Sequence, residues 1–364
     1  MKKMVALTLA LLMAASLFLS GCSVRKDTSD SENSGSSNGS GSGDRVVNVC
    51  SWGEYIDESL IDQFEEETGI KVNYQTAESN EVLYSQLSMG GVDYDVIVPS
   101  DYMISRLIEE DKLEPLNFDN IPNFSDVDPE LKNPEYDPEN LYSVPYMWGL
   151  MGVIYNTTMV DEADTGSWDL LWNEKYSNDI LMIDNSRDAI GIALKRLGYS
   201  YNTTDPDQIT EAVDSLIEQK SILQGYAMDQ IFSKMEGSNA AIGTYYYGDY
   251  LTMAENNPDL AFYLPEEGTN IYVDAMCIPK GAANKENAEA FINYMCSTQA
   301  GLKNCEEIWY STPLMSVREE LDPEVSSDPM AYPDAEIMAQ CESYTNLPQD
   351  ILDLYTSEWL RLKA

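Results

Sequence analysis

Several short segments of this chain place aromatic rings beside carboxylates, and that combination is the chemistry of cation recognition. Trp52 and Glu54 form one pair, and Tyr272 and Asp274 form another. On a strand, residues two apart share a face, so Tyr272 and Asp274 would present a ring and an acid together. Asp184-Asn185-Ser186-Arg187-Asp188 is a polar turn, and Gly243-Thr244-Tyr245-Tyr246-Tyr247-Gly248 is an aromatic strand end. Aromatic faces attract cations by ~0.5–2 kcal/mol each. Carboxylates pair ammonium groups through charge-assisted hydrogen bonds, and rings pack along methylenes. The set therefore suits a flexible alkyl chain bearing separated ammonium groups. Anionic or zwitterionic ligands would need an arginine clamp, and Arg187 is the only arginine in these segments. Each residue also has a structural explanation when taken singly. Glu54, Asp57 and Glu58 could favour a helix N-terminus through its dipole. Strand aromatics are usually core, and Asp188 could cap a helix or pair with Arg187. Their clustering at predicted strand ends favours a binding site.

Other chemistries are excluded by what the chain lacks. There is no histidine among 364 residues, which removes Ser-His-Asp and Cys-His machinery and HExxH zinc sites. No phosphate loop, nucleophile elbow or metal cluster is present, and no cofactor is implied. The formal net charge is -42, with 63 acids against 21 bases. Such a surface repels nucleic acid and accumulates cations. Beyond Cys22, five cysteines remain (Cys50, Cys277, Cys296, Cys305 and Cys341), an odd number without CxxC spacing. They do not form a disulfide framework and read mostly as buried thiols. Cys296 and Cys305 are the only pair close in sequence, and their spacing does not decide whether they bond.

The elements that must position these residues follow from periodicity. Val46 to Trp52 is a β-branched run and reads as a strand. Ile56, Leu60, Ile61 and Phe64 give Glu54 to Thr68 one helical face, with Gly69 at the C-terminal left-handed position. A strand over Ile70 to Tyr74, a helix over Asn80 to Met89 and a buried strand over Tyr94 to Ser100 complete a βαβ series, hence a largely parallel sheet. Ligands sit beyond the carboxyl ends of such strands, where Trp52, Glu54, Ser100 and Tyr102 fall. Leu116 to Pro145 reads as a surface excursion, and Tyr146 to Asn156 as a strand leading out of the first lobe. Further strands are expected over Asp179 to Asp184, Ala240 to Tyr247, Leu260 to Leu264 and Asn270 to Pro279. Helices are expected over Trp168 to Trp172, Ala189 to Leu197, Pro206 to Ser221, Lys285 to Ser297 and Gln349 to Lys363. The last would pack back on the second lobe.

The N-terminus addresses the compartment. Lys2 and Lys3 precede an apolar run from Met4 to Leu19, shorter than the ~20 residues of a membrane span. It reads as a secretory signal. Leu19-Ser20-Gly21-Cys22 resembles a bacterial lipobox, which implies acylation of Cys22. Asp27 to Asp44 is almost entirely Ser, Gly, Asn and acids with no apolar residue, a tether with an r.m.s. reach of roughly 25 Å.

Along the mature chain the sequence resembles the spermidine/putrescine-binding proteins of bacterial polyamine ABC transporters. The resemblance is carried by Trp52-Gly53-Glu54-Tyr55, Glu65 to Val72, Ala77 to Glu81, Tyr94 to Ser100, Val144 to Gly149 and Tyr332 to Glu336. It implies an α/β, two-lobed type II periplasmic-binding-protein fold with two hinge crossovers. The expected lobes are 46–152 with 274–322, and 153–273 with 323–364, after a signal over 1–21 and a tether over 22–45. It implies that Trp52, Tyr102, Tyr246, Tyr272 and Tyr310 sandwich the methylenes and that Glu54, Asp188 and Asp274 take the amines. Ser100 and Tyr55 would line the cleft. It further implies a monomeric receptor, held to the cytoplasmic membrane by its lipid, that delivers a polyamine to an ABC permease without breaking a bond.

The chain departs from the family at several points. Asn185 stands where spermidine binders have an acid, with Asp184 adjacent. Tyr246 and Tyr272 replace tryptophans, and Gly53 replaces a hydroxyl residue. A glutamine that steadies the acid matching Asp274 has no counterpart near Ser343 to Leu347. Three matched acids suit a trication such as spermidine, whereas two suffice for putrescine. Two alternatives remain at this level. One is a receptor or sensor for another organic cation. The other is a glycoside hydrolase using Glu54 and Asp274, which would need two carboxyls at defined separation.

Overall fold

The computed structural model describes Arg45–Ala364; the expectations for the signal sequence, Cys22 and all but the last residue of the tether lie outside the described residues. Strand β1 (Val46–Ser51) pairs in parallel with β2 (Lys71–Thr76) and with β3 (Val96–Ile97). Between β1 and β2 runs α1 (Ser59–Thr68), which buries Leu60 and Phe64 and ends at Gly69 in the left-handed conformation, φ 69°. This helix starts five residues later than the apolar spacing predicts. Glu54 has a φ of 47°, which no helix accommodates, and Asp57 accepts from the Ser59 amide at 2.8 Å just before the first turn. Helix α2 (Asn80–Met89) has the expected bounds and is capped by Ser79, whose hydroxyl accepts from the Val82 amide. Helix α3 (Asp101–Glu109) follows β3.

Strand β4 (Ser143–Asn156) is 14 residues long and changes partner midway. Its first part, through Leu150, pairs with β9 (Thr269–Cys277). From Met151 onward it pairs with β7 (Ile242–Tyr246), and from Val153 also with β8 (Leu260–Tyr263). Strands β5 (Ile180–Ile183) and β6 (Leu223–Ala227) extend that side in parallel, giving the order β2-β1-β3-β9-β4-β7-β5-β6. A short β10 (Cys341–Glu342) pairs with β9. The sheet is thus mixed rather than largely parallel. The outer strands are parallel, whereas β3, β9, β4 and β7 meet antiparallel at the centre.

Strand β4 begins at Ser143, three residues before the sequence pattern suggests. Proline normally disrupts a ladder, but Pro145 falls where the β4–β9 register shifts at a bulge. The preceding excursion is also less superficial than its composition implies. Its three 3-10 turns put Ile121 and Val127 at 1% and 0% exposure.

The helices that follow include α4 (Ser186–Arg196), α5 (Pro206–Gln219), α6 (Gln230–Glu236), α7 (Tyr247–Asn256), α8 (Lys285–Met295) and α9 (Thr298–Ile308). One hydrophobic core gathers β4 beyond Met151, β5, α4, α5 and the C-terminal helix Gln349–Lys363 through Ile351, Tyr355 and Leu362. A second joins Val47, Phe64, Val96, Phe291 and Leu314. No helix among the described residues is long and apolar enough to cross a membrane.

Candidate functional site

The carboxyl ends of β1 and β3, the middle of β9 and the N-termini of α4 and α7 converge on one cavity of about 310 Å³. Ten of the residues singled out in the sequence line it: Trp52, Tyr55, Ser100, Tyr102, Asn185, Asp188, Tyr246, Tyr272, Asp274 and Tyr310. Six carboxylates stand in its wall (Glu78, Asp184, Asp188, Asp229, Asp249 and Asp274) and no lysine or arginine does.

A tyrosine hydroxyl holds each of four of these aspartates, three buried and Asp229 exposed. Asp274 Oδ2 accepts from Tyr55 at 2.9 Å and from Trp52 Nε1 at 3.2 Å. Asp188 Oδ2 accepts from Tyr246 at 2.9 Å, and its Oδ1 accepts from Tyr344 at 3.1 Å. Asp249 Oδ2 accepts from Tyr310 at 2.8 Å, and Asp229 Oδ1 from Tyr245 at 3.1 Å. The rings pack on one another: Tyr246 and Tyr272 lie 5.1 Å apart and Tyr55 and Tyr310 4.7 Å apart, both edge to face. Such contacts lock the rotamers, so the carboxylates are set before any ligand arrives.

Several polar atoms are left over. Asp274 Oδ1 and the Tyr272 hydroxyl are buried without a hydrogen-bond partner. An unmet buried acceptor costs about 1–3 kcal/mol, and a ligand donor would relieve it. Burial also makes the acids hard to ionise. It pushes the Asp274 carboxyl up to about 6, against the lowering effect of Ser100, Tyr55 and Trp52. It pushes Asp188 up to about 7 and Asp249 well above the usual carboxylate range, with the charges of Asp229 and Glu54 adding to the effect. Bringing a cation into the cavity would reverse these shifts, because an opposite charge nearby favours the ionised acid.

Glu54 is the exception among the expected residues. It is exposed and does not line the cavity; its left-handed backbone at φ 47° carries the side chain into solvent. Asn185 lines the cavity, but its side-chain oxygen caps α4, accepting from the Arg187 and Asp188 amides. A cap needs only an acceptor, so an amide serves there as well as an acid. Its neighbour Asp184 pairs with Lys363 at 2.6 Å, which offsets its charge at the cavity edge. Arg187 makes no clamp either. Its guanidinium donates to Asn202 Oδ1 and the Thr345 carbonyl and lies 4.6 Å from the Tyr344 ring centroid. No group of three or more His, Cys, Asp or Glu among the described residues is placed to hold a metal ion.

A family model for bacterial extracellular solute-binding proteins matches residues 59–333. The chain belongs to that family. It is 34% identical over 314 residues to the spermidine/putrescine-binding periplasmic protein of Salmonella typhimurium, covering 86% of this chain and 90% of that protein. It is 26% identical to the putrescine-binding periplasmic protein PotF of Escherichia coli, over 88% and 92%. Among solved structures, the spermidine/putrescine substrate-binding protein PotD of Streptococcus pneumoniae superposes with a TM-score of 0.73 at 39% identity, over 88% and 98%. A Listeria monocytogenes chain whose name assigns it to a spermidine/putrescine ABC transporter gives 0.85 at 38%, over 88% and 99%. The fold is the type II periplasmic-binding-protein fold expected from the sequence.

Members of this family are solute-binding transport proteins, and several wall residues here escaped the sequence reading. Asp229 follows β6 and precedes α6, neither of which the pattern reveals. Leu223-Gln224-Gly225-Tyr226-Ala227 has no clean alternation, and α6 is seven residues long. Asp249 was hidden inside α7, where an acid in a first turn reads as a dipole partner. Tyr344 comes from an irregular segment near the C-terminus; only the run of tyrosines in this chain could have flagged it.

Proposed function

We propose that this protein is an extracytoplasmic receptor that binds a polyamine, spermidine or putrescine, and presents it to an ABC permease. The observation that carries this reading is the set of tyrosine-tethered aspartates in an aromatic cavity without a single lining cation. Primary and secondary ammoniums offer several N–H donors, which match carboxylates already oriented. Rings between the acids supply the surface for methylenes. The relatives' names agree with this ligand class.

The lobes are read as two bodies joined at β4 and β9, where β4 changes partner between Leu150 and Met151. In this reading Trp52, Tyr55, Ser100, Tyr102 and Tyr310 belong to one wall and Asp188, Tyr246 and Asp249 to the other, with Tyr272 and Asp274 on the crossing strand β9. Acids on both walls repel when the cavity holds no cation. A bound polyamine removes that repulsion and draws the walls together, so closure depends on the ligand. The closed form is the one a permease would recognise. No bond is broken, and the residues act only by binding. Acylation of Cys22 would keep the receptor near its permease.

The other organic cations fit less well. A quaternary ammonium has no N–H for Asp188 or Asp274 to accept, and aromatic cages suffice for it. The hydrolase reading would need Glu54 facing Asp274 across the substrate, and Glu54 is not in the wall. Competition calorimetry separates the two receptor readings. Spermidine or putrescine should bind at least a hundredfold tighter than choline, and equal affinities would count against the proposal.

A further inference from the structure

We propose that Asn80 is a positioning residue for ligand binding, which turns the hydroxyl hydrogen of Ser100 toward Asp274. The inference rests on the polyamine reading above and adds to it a residue that acts through two others. Asn80 opens α2 and is 7% exposed. Its Oδ1 accepts from the Ser100 amide at 3.0 Å, and its Nδ2 donates to Ser100 Oγ at 2.9 Å. A backbone N–H only donates, so the carboxamide oxygen must face it, and the NH2 is left against Oγ. One lone pair of Oγ is thereby filled from the Asn80 side. The hydroxyl hydrogen has to point away from Asn80.

Asp274 stands on that other side. Ser100 and Asp274 oppose each other in an isolated antiparallel bridge, where paired side chains share a face with Cβ atoms about 4.5–5.5 Å apart. Both residues line the cavity. Asp274 Oδ2 is taken by Trp52 and Tyr55, whereas Oδ1 is buried without a partner. The Ser100 hydroxyl holds the Asp274 carboxyl down against the effect of burial. The second lone pair of Oγ stays open to a ligand N–H. Oriented by Asn80, Ser100 thus favours the ionised acid and keeps an acceptor for the ligand. The titratable groups around Asp274 are Tyr55, Tyr136, Tyr146, Tyr272 and Asp101. All of them are left intact by the substitutions that test the role of Asn80.

The experiment is calorimetric titration with spermidine at pH 6 and pH 8 of the wild type, Asn80→Ala, Ser100→Ala and the double variant. At pH 8 Asp274, pushed up to about 6, is ionised without the hydroxyl, whereas at pH 6 it depends on it. Relative to the wild type, each single variant should lose about three- to fivefold more affinity at pH 6 than at pH 8, the effect of a carboxyl raised by about half to one unit. The double variant should bind no more weakly than Ser100→Ala, because Asn80 acts through a hydroxyl already removed. If Asn80 only braces the backbone, its loss is equal at both pH values and multiplies with that of Ser100→Ala; either result would overturn the assignment. Ser100→Ala keeps the bond from its amide to Asn80, so it stays decisive even where Asn80→Ala fails to fold. Equal losses at both pH values in Ser100→Ala alone refute the proposal. A wild type that binds neither spermidine nor putrescine would instead overturn the polyamine reading beneath it.

Discussion

Replacing Asp274 by Asn removes one charge while leaving the shape of the side chain. Trp52 Nε1 and the Tyr55 hydroxyl both donate to Oδ2, so the amide oxygen would keep that place. The amide NH2 would then occupy the position of Oδ1, which is buried and has no partner. The fold should therefore tolerate the change. The ligand would meet a donor where it needs an acceptor. Hydrogen bonds to a charged group contribute about 1.5–3 kcal/mol, and each 1.4 kcal/mol is a factor of ten. The expected loss in spermidine affinity is roughly 10- to 150-fold, measured by calorimetry at pH 8, where Asp274, pushed up to about 6, is ionised. An Asp274→Asn protein with wild-type melting and wild-type affinity would remove the central residue from this account.

Acidification should weaken polyamine binding between about pH 7 and 6, as Asp188 and Asp274 take up protons at values of about 7 and 6; flat affinity from pH 8 to 5 would contradict those raised values. Ligand-free stability should move the other way. A carboxyl raised from its unfolded value of ~3.9 favours the folded state below that value, and the contribution is lost as pH rises through the folded value. Asp188→Asn should thus raise the melting temperature of the ligand-free protein at pH 8 and have little effect near pH 4. A rise of equal size at both would sink that reasoning. Phe64→Ala empties a fully buried position packed edge to face against Phe291, 5.3 Å away, and should destabilise by about 3–5 kcal/mol in chemical denaturation. The five cysteines of the described chain are free, and burial pushes Cys296 and Cys305 up to about 12. Native Cys22→Ser protein should label slowly with thiol reagents, Cys341 first; fast reaction at Cys296 would show that its site opens.

Much of the fold was legible because its signals were local. Apolar spacing and Ser79 marked α2, and Gly69 marked the end of α1. The C-terminal helix Gln349–Lys363 has the bounds its pattern predicts. What failed was set by distant partners. The β4 strand runs through Pro145 because a bulge against β9 absorbs it, and nothing near Pro145 announces β9. The site divides the same way. Tyr272 and Asp274 were legible from strand alternation. Glu54 stands outside the cavity wall on a left-handed backbone, which cannot be seen in a pattern of side chains. Asp229, Asp249 and Tyr344 converge only after three separate segments have packed.

The central claim is that the cavity binds a polyamine, and the direct test is a titration of the purified chain after unfolding and refolding have stripped carried-over ligand. Spermidine and putrescine should each be added in turn and the heat followed. The account predicts tight 1:1 binding of at least one. No heat from a folded, monodisperse sample with either would contradict it.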